Sequence, residues 1–196
     1  MKSYVYYAAI PSEIGSDVLY PPERMVEIER CRSEKSRREK YYVWRLLEIA
    51  LKDALSLDIA NIKFTKKPNN KWVCDDCFFS LAHTEGLASV AVSTERIGVD
   101  AERVRALRGG IAEKILTERE MARLGGMTER EREDYLLERW CAKEAIFKAG
   151  DSDALLPKTI ETAEHRVHTE RVVLGGEDYV LTICTDGECE IKCIQL

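Results

Sequence analysis

The hydrophobic and polar positions of residues 128–150 follow the period of an α-helix. Small or apolar side chains recur every four residues, at Leu137, Cys141, Ala145 and Ala149. Thr128 and Glu131 have the spacing of a capping box, which predicts the helix start, and Gly150 predicts its end. An adjoining stripe combines an aromatic ring, a carboxylate and an ammonium: Trp140, Glu144 and Lys148. The pattern predicts an amphipathic helix with charged chemistry along one side of its apolar face.

A second pattern, with a period of two, covers residues 97–102 and indicates the end of a β-strand. This alternation sends Ile97 and Val99 to one face and the carboxylates of Asp100 and Glu102 to the other. Two carboxylates held this close repel each other unless a cation lies between them. The segment therefore predicts a candidate metal site.

The first half of the chain predicts two helices and several strands. Residues 23–32 form a short charged helix, and Ser33 caps a longer helix that runs to about Ser56. The longer helix opens with four basic residues: Lys35, Arg37, Arg38 and Lys40. On their own these residues are typical of a solvated basic face. Strands are expected at residues 4–10, 62–64, 72–73, 78–79 and 87–92.

The second half begins with the acidic strand. Residues 111–124 are helical, and Thr117 with Glu120 again has capping-box spacing. After the helix of residues 128–150, short alternating strands are expected at 165–173, 179–185 and 189–195. The order of elements predicts an α+β fold, and 196 residues suffice for one compact unit or two small halves.

Composition excludes some classes of partner. A formal net charge of −5 argues against nucleic acid. No stretch approaches the roughly 20 apolar residues of a membrane span. Seven cysteines at irregular spacing, with no credible signal peptide, favour a reduced cytoplasmic protein. Cys74 and Cys77 have metal or redox spacing, but no second Cys-x-x-Cys accompanies them, so a structural role is favoured over zinc or redox chemistry.

Residues 98–102 (Gly-Val-Asp-Ala-Glu) and 140–148 (Trp-Cys-Ala-Lys-Glu-Ala-Ile-Phe-Lys) together resemble the signature pair of the 4′-phosphopantetheinyl transferases. The chain matches every fixed position of both motifs, in the right order and at the right separation. The resemblance implies two similar α/β subdomains related by a pseudo-twofold axis, each a small antiparallel sheet packed with helices. The subdomains would cover residues 1–95, on the side of the coenzyme A 3′-phosphate and adenosine, and residues 96–196, which carry both signature motifs.

The resemblance also implies a metal and a reacting centre. Asp100, Glu102 and Glu144 would hold Mg²⁺, with Mn²⁺ as an alternative, and Lys148 would meet the pyrophosphate of coenzyme A. The proton of the attacking hydroxyl would pass to Glu144, or to a water on the cation assisted by Glu120. The sequence does not choose between these, and Glu120 is equally well explained as the capping partner of Thr117. Trp140 is interpreted as packing that fixes the helix on the acidic strand.

Coenzyme A contacts are implied at three segments. Lys35, Arg38 and Arg45 match family positions that hold the 3′-phosphate. Lys67 and Pro68 resemble the nucleotide-binding loop, although Lys66 replaces its glycine. His83 and Thr84 resemble a phosphate or adenosine contact, although Ser80 replaces an asparagine and Ala82 a serine.

The resemblance thus implies transfer of the phosphopantetheine arm of coenzyme A to a serine of an apo acyl or peptidyl carrier protein. Length and organisation resemble the monomeric, surfactin-synthetase-activating branch of the family. Two alternatives stay open: a coenzyme A-binding relative without transferase activity, and a metal-dependent phosphohydrolase. An acidic carrier would dock near residues 103–105 and 111–115, where a basic or apolar surface is expected.

Overall fold

The computed structural model describes residues 2–105, 110–150 and 156–196. These residues form nine strands and five α-helices, in the order β1 (Lys2–Ala9), α1 (Pro22–Glu29), α2 (Glu34–Leu55), β2 (Thr65–Lys66), β3 (Trp72–Val73), β4 (Phe78–Thr84), β5 (Leu87–Ser93), β6 (Gly98–Arg103), α3 (Ala112–Ile115), α4 (Glu118–Ala122), α5 (Glu129–Ala149), β7 (Val167–Leu174), β8 (Glu177–Cys184) and β9 (Glu188–Ile194). The mixed α and β composition expected from the sequence is confirmed. Among the described residues, no helix is both long and apolar enough to span a membrane.

The first sheet has the strand order β4-β5-β1-β9. The β4–β5 and β5–β1 pairs are antiparallel, whereas β1 and β9 run parallel. The sheet is therefore antiparallel except at this edge, where the last strand of the chain joins the first. The predicted boundary between residues 95 and 96 stays a prediction, and β9 crosses it.

Helix α2 covers the first sheet. Ser33 caps it by accepting a hydrogen bond from the Ser36 backbone N–H, and it ends at Ser56 in the left-handed conformation, as the sequence predicted. Its inward side chains pack with aromatic rings from the strands to form the core between α2 and the first sheet. Trp44 is fully buried, and its ring contacts those of Phe64 and Phe79 in tilted and edge-on arrangements. This packing fixes the position of α2, which contributes Lys40 to the candidate site.

The second sheet is small and antiparallel, with the order β6-β8-β7. Helix α5 packs across β6 and β8 and begins with the predicted capping box of Thr128 and Glu131. Its apolar face, Leu137, Cys141 and Ala145, is buried as predicted. Each sheet thus carries one long helix, but the sheets differ in strand number and order, so the pseudo-twofold relation stays a prediction.

The two sheets meet where β6 lies against β4. Ser80 on β4 is buried, and its Oγ accepts a 3.0 Å hydrogen bond from the Val99 backbone N–H on β6. Tyr179 on β8 donates its hydroxyl to the Glu85 carbonyl in the β4–β5 turn at 3.0 Å. Ser80, which departs from the family pattern, therefore takes part in joining the halves.

Gly98 sets the distance between β6 and α5. A Cβ at this position would lie 1.9 Å from the Ala145 carbonyl oxygen and 2.6 Å from the Ala149 backbone nitrogen. Because both neighbours are backbone atoms of one helix, only a shift of the whole helix could make room. Gly98 is thus required by a close approach of strand and helix.

We expect Gly98→Ala to lower the free energy of unfolding by about 1–3 kcal/mol, because overpacking forces α5 away from β6. Urea unfolding followed by circular dichroism measures this change. The matched control is Gly125→Ala, where a Cβ would meet only the Ala122 carbonyl oxygen at 3.6 Å. Equal midpoints for the two variants would contradict the proposed role of Gly98.

Candidate functional site

Asp100 and Lys148 form the centre of the candidate site. Asp100 lies two residues beyond Gly98 on β6, and Lys148 occupies the last turn of α5. Lys148 Nζ donates to Asp100 Oδ1 at 2.6 Å. The other oxygen, Asp100 Oδ2, is buried without a hydrogen-bond partner. A buried carboxylate oxygen left unpaired is costly, so this oxygen is positioned for a ligand that supplies positive charge.

Glu102 lies on the same face of β6, as the alternating pattern predicted. Trp140 Nε1 on α5 donates to Glu102 Oε1 at 2.9 Å. Burial raises the pKa of Glu102, and the Asp100 carboxylate raises it further, against the opposing effect of the Trp140 hydrogen bond. Trp140 therefore fixes the helix on the acidic strand through a hydrogen bond as well as through packing.

Glu144, one helical turn from both Trp140 and Lys148, completes the acidic set. Burial raises its pKa, Asp100 adds to the increase, and the Lys148 ammonium opposes it. The influence of Asp100 on both glutamates indicates that the three carboxylates face a common region. Like charges in such a region are stabilised by a cation.

The side chains of Asp100, Glu102 and Glu144 have the chemistry that a hard divalent cation prefers, because they offer carboxylate oxygens, including the unpaired Asp100 Oδ2. Among the described residues, no three His, Cys, Asp or Glu side chains converge closely enough to hold a metal ion. Lys148 binds one Asp100 oxygen and Trp140 one Glu102 oxygen. In this conformation Lys148 therefore supplies the positive charge, and binding of a cation by all three carboxylates requires side-chain movement.

A cavity of about 410 Å³ opens beside this cluster. Its wall includes five basic side chains from five parts of the chain: Arg24, Lys40, Lys71, His83 and Lys148. Apolar side chains complete it, among them Trp72, Phe79 and Phe147. Several fixed positive charges around an apolar floor suit a ligand that combines phosphates with a flat ring.

His83 lies on β4 in the wall of this cavity. Its pKa is lowered to about 4, first by burial and then by the positive charges of Lys148, Arg24 and Lys40. The imidazole is consequently neutral at pH 7 and able to donate one hydrogen bond without adding charge. This placement agrees with the predicted phosphate or adenosine contact, which stays a prediction.

The other predicted coenzyme A residues lie in different places. Lys35 pairs with Glu85 at 3.4 Å, Arg38 donates to the Ser12 carbonyl, and Arg45 pairs with Glu48 and Asp17. Among the described residues, the lining of the basic cavity includes none of Lys35, Arg38, Arg45, Pro68 and Thr84. Lys67 lines a neighbouring cavity instead. The structure therefore gives no support to a direct contact of Lys35, Arg38 or Arg45 with a ligand in the basic cavity.

The sequence analysis did not identify several cavity residues, among them Arg24, Asn70, Lys71 and Phe147. Arg24 is buried, lies 4.8 Å over the Trp44 ring and donates to the Lys40 carbonyl, so the first turn of α1 contributes a fixed cation. Asn70 and Lys71 belong to the β2–β3 hairpin, where Lys71 Nζ donates to the Lys148 carbonyl at 2.6 Å. Lys40 belonged to the recognised basic segment, and helical periodicity places it on a different side of α2 from Arg38.

Glu120 lies in a different setting from the one expected for a proton acceptor. It is 1 % exposed, closes the capping box with Thr117 and accepts from the Thr162 hydroxyl at 2.8 Å. Lys143, equally buried, contacts Glu120 Oε2 at 2.6 Å and donates to the Ile160 carbonyl. Both Glu120 oxygens are therefore occupied. The structure favours the capping explanation, and the catalytic role of Glu120 stays an unsupported prediction.

The predicted carrier-docking segment is only partly exposed. Arg103 pairs with Glu177 at 2.6 Å, and Ile115 is buried. Arg105 is exposed. Residues 106–109 lie outside the described part of the chain, and docking at this segment stays a prediction.

A basic cavity bordered by carboxylates and a lysine has the chemistry that suits a phosphorylated ligand. The model of the 4′-phosphopantetheinyl transferase superfamily matches residues 96–188, which include both signature motifs. The chain is similar to 4′-phosphopantetheinyl transferase ffp of Bacillus subtilis, with 24% identity over 177 residues, 87% of this chain and 78% of that protein. It is also similar to 4′-phosphopantetheinyl transferase gsp of Aneurinibacillus migulanus, with 27% identity over 113 residues, 57% of this chain and 48% of that protein.

The matched residues make up slightly less than half of the chain and include β6 and α5, which carry the acidic cluster. The similarity to the Bacillus protein extends over both halves of the chain, which agrees with the surfactin-synthetase-activating type expected from the length and organisation of the chain.

We expect Lys143→Met to lower the free energy of unfolding by about 3–5 kcal/mol, because it leaves the Glu120 carboxylate buried and unpaired. The double variant Glu120→Gln/Lys143→Met removes both charges and should regain most of the loss. Urea unfolding of the two variants, of Glu120→Gln and of the wild type completes a double-mutant cycle. Lys52→Met, an exposed lysine near the end of α2, is the control. Additive effects of the two substitutions would contradict the pairing.

Proposed function

We propose that this protein transfers the 4′-phosphopantetheine arm of coenzyme A to a serine hydroxyl of an apo acyl or peptidyl carrier protein. The products are the holo carrier protein and adenosine 3′,5′-bisphosphate. The observation that carries the proposal is the Asp100–Lys148 pair at the edge of the basic cavity, with one Asp100 oxygen left without a partner. The match of residues 96–188 to the family model and the names of the two relatives support it.

The basic cavity is proposed to bind the phosphates and adenosine of coenzyme A. Arg24, Lys40 and His83 are contributed by three elements and would hold the 3′-phosphate and the ring, while Lys148 and Lys71 face the pyrophosphate. The positive charges that lower the pKa of His83 are those that an anionic ligand would neutralise. Coenzyme A is therefore a suitable co-substrate for this cavity.

Magnesium, or alternatively manganese, is proposed to be held by Asp100, Glu102 and Glu144. When bound, it would neutralise charge on the pyrophosphate during attack by the serine oxygen. Lys148, released from Asp100, would place its ammonium on the same phosphates. The new bond joins the serine oxygen to the phosphorus on the pantetheine side, and the bond from that phosphorus to the adenosine bisphosphate breaks.

The serine proton requires an acceptor, and Glu144 is the better placed of the two candidates. It is half-buried, and its raised pKa makes it a stronger base than an exposed glutamate. Glu120, in contrast, has both oxygens occupied. We therefore assign the proton transfer to Glu144.

The setting of the reaction is proposed to be the cytoplasm, with the protein acting as a monomer. The cysteines are all free thiols, which supports a reducing compartment. The similarity to the Bacillus protein over both halves supports a single chain with one complete site.

The function is tested by the intact mass of an apo carrier protein incubated with the protein, coenzyme A and Mg²⁺. We expect a gain of one phosphopantetheine, abolished by a chelator and slowed about 100-fold or more by Asp100→Ala, the loss typical of removing an electrostatic contact at a reacting centre. Glu188→Ala, an exposed carboxylate on β9, is the matched control. Coenzyme A binding without a mass gain on several carriers would favour an inactive relative. Release of free phosphopantetheine without a carrier would favour a phosphohydrolase.

The location of the coenzyme A site is tested by two lysines of the same helix. Lys40→Ala should weaken coenzyme A binding about tenfold, which corresponds to about 1.4 kcal/mol for one charge-assisted contact. Lys35→Ala is the matched control, because Lys35 lies outside the cavity and pairs with Glu85. Isothermal titration calorimetry measures both affinities. An equal loss in Lys35→Ala would restore the 3′-phosphate contact predicted from the sequence.

A further inference from the structure

Two cysteines with no role in the transfer reaction lie side by side next to the basic cavity. Cys74 and Cys77 occupy the turn between β3 and β4, and their Sγ atoms are 3.8 Å apart. Both are free thiols. A disulfide bond has a length of about 2.05 Å, so oxidation of this pair requires the sulfurs to approach by less than about 2 Å.

The surroundings assign different roles to the two thiols. The hydrogen bond between the two sulfurs lowers the pKa of Cys74 to about 7, burial opposes the shift, and backbone hydrogen bonds with Cys77 and Asp76 contribute to it. The pKa of Cys77 is raised by the same hydrogen bond and by burial. Cys74 is half-exposed and Cys77 is buried. Cys74 is therefore the attacking thiolate and Cys77 the resolving thiol.

These sulfurs line a second cavity, of about 430 Å³, which shares three wall residues with the basic cavity: Lys71, Trp72 and Phe79. Ala149, next to Lys148, also lines the second cavity. Because Lys71, Trp72 and Phe79 border both cavities, we infer that a ligand whose phosphates lie at Lys148 and Lys71 directs its arm along Trp72 towards Cys74. The free end of the coenzyme A arm is a thiol, which air and other oxidants convert to a disulfide.

The charge around the second cavity is mixed. Lys67, Lys71 and Arg96 contribute positive side chains, whereas Asp75, between the two cysteines, contributes a carboxylate. Asp76, the other residue between them, is exposed. A small anionic disulfide would gain little binding energy from this mixed charge. A disulfide attached to the phosphates and adenosine of coenzyme A would be held by the neighbouring basic cavity.

We propose that Cys74 and Cys77 form a dithiol that opens the disulfides of coenzyme A and releases coenzyme A thiol, the form whose arm is transferred. This inference rests on the proposed binding of coenzyme A in the basic cavity. The chemical class of substrate is a low-molecular-weight disulfide that carries an adenosine bisphosphate group. The thiol pair would thereby convert an oxidised co-substrate within the site that uses it.

The reaction balances without a further reagent. The Cys74 thiolate attacks one sulfur of coenzyme A disulfide, the S–S bond breaks, and the first coenzyme A leaves as a thiolate. Cys77 then loses its proton and attacks the Cys74 sulfur, which releases the second coenzyme A. One protein dithiol is oxidised to a disulfide and one coenzyme A disulfide is reduced to two thiols. The proton that Cys74 releases on forming its thiolate and the proton lost by Cys77 pass to the two departing thiolates.

The experiment mixes reduced, full-length protein with coenzyme A disulfide or, in parallel, with glutathione disulfide at the same concentration. Intact mass follows the protein, and chromatography follows released thiol. We expect loss of two hydrogens per protein, release of two coenzyme A thiols, and a rate at least about tenfold higher than with glutathione disulfide, because binding raises the effective concentration at Cys74.

Variants identify the two sulfurs. Cys77→Ser should stop at a mixed disulfide, with a mass gain of one coenzyme A located at Cys74 by peptide mapping. Cys74→Ser should remain unmodified at this turn. Cys193→Ser, which removes an exposed cysteine on β9, should react like the wild type. An unmodified wild type, equal rates with both disulfides, or modification confined to Cys193 would overturn the proposal.

Failure of this proposal is distinguishable from failure of the proposed function. The transferase is tested separately by incubating the wild type with a carrier protein and coenzyme A thiol in a non-thiol reductant. Under these conditions transfer does not require the cysteine pair to open a disulfide. If transfer occurs and the dithiol does not react, only the present inference is wrong. If coenzyme A fails to bind the reduced protein in calorimetry, the shared cavity assignment is wrong and both proposals fail.

Discussion

The close approach of β6 and α5 at Gly98 positions the whole acidic cluster. The strand supplies Asp100 and Glu102 and the helix supplies Trp140, Glu144 and Lys148, so any change in the strand–helix distance alters every contact between the two sets. The backbone atoms of Ala145 and Ala149 leave no room for a side chain at Gly98. The Trp140–Glu102 hydrogen bond and the Asp100–Lys148 ion pair then connect the strand and the helix at two positions along their lengths. A steric constraint on backbone atoms thus determines an electrostatic arrangement.

The negative charges of this acidic cluster are only partly balanced by Lys148. Three carboxylates around one region repel each other, and burial raises the pKa of two of them. Lys148 offsets part of the repulsion but leaves one Asp100 oxygen unsatisfied. A divalent cation would satisfy that oxygen and free Lys148 for the phosphates, so cation and substrate binding should favour each other. Such coupling would account for the Asp100 oxygen that no side chain or backbone group satisfies.

The parts of the structure that the sequence predicted are those determined by local patterns. Capping boxes, helical periodicity and the alternation at residues 97–102 depend on neighbours within a few positions, and most predicted helices and strands appear within a few residues of their expected bounds. Three predictions were wrong: residues 62–64 form no strand, the helix predicted at 111–124 is divided into α3 and α4, and the strand predicted at 78–79 continues to Thr84. The parallel pairing of β9 with β1 joins opposite ends of the chain and leaves no local signal. Glu120 illustrates a different limit. Its capping partner was visible at i−3, whereas its pairing with Lys143 depends on how α4 packs against α5, which spacing alone does not determine.

The basic cavity was harder to predict than the acidic cluster for a physical reason. Carboxylates that bind one metal ion must lie within a few ångströms of one another. They are therefore expected at positions i and i+2 of one strand and along one face of a helix. Phosphate recognition by lysine needs only a point charge on a long flexible stem, so residues from distant segments can serve. Arg24, Lys40 and Lys71 come from α1, α2 and the β2–β3 hairpin, and only their packing around Trp44, Trp72 and Phe79 brings them to one wall. The basic run that looked most suggestive in the sequence points Lys40 into that wall and directs Lys35 and Arg38 to other partners. The basic run alone was typical of a solvated face, and the family resemblance was what predicted a phosphate site in this region, while the packing of the aromatic core determined which charges border the cavity.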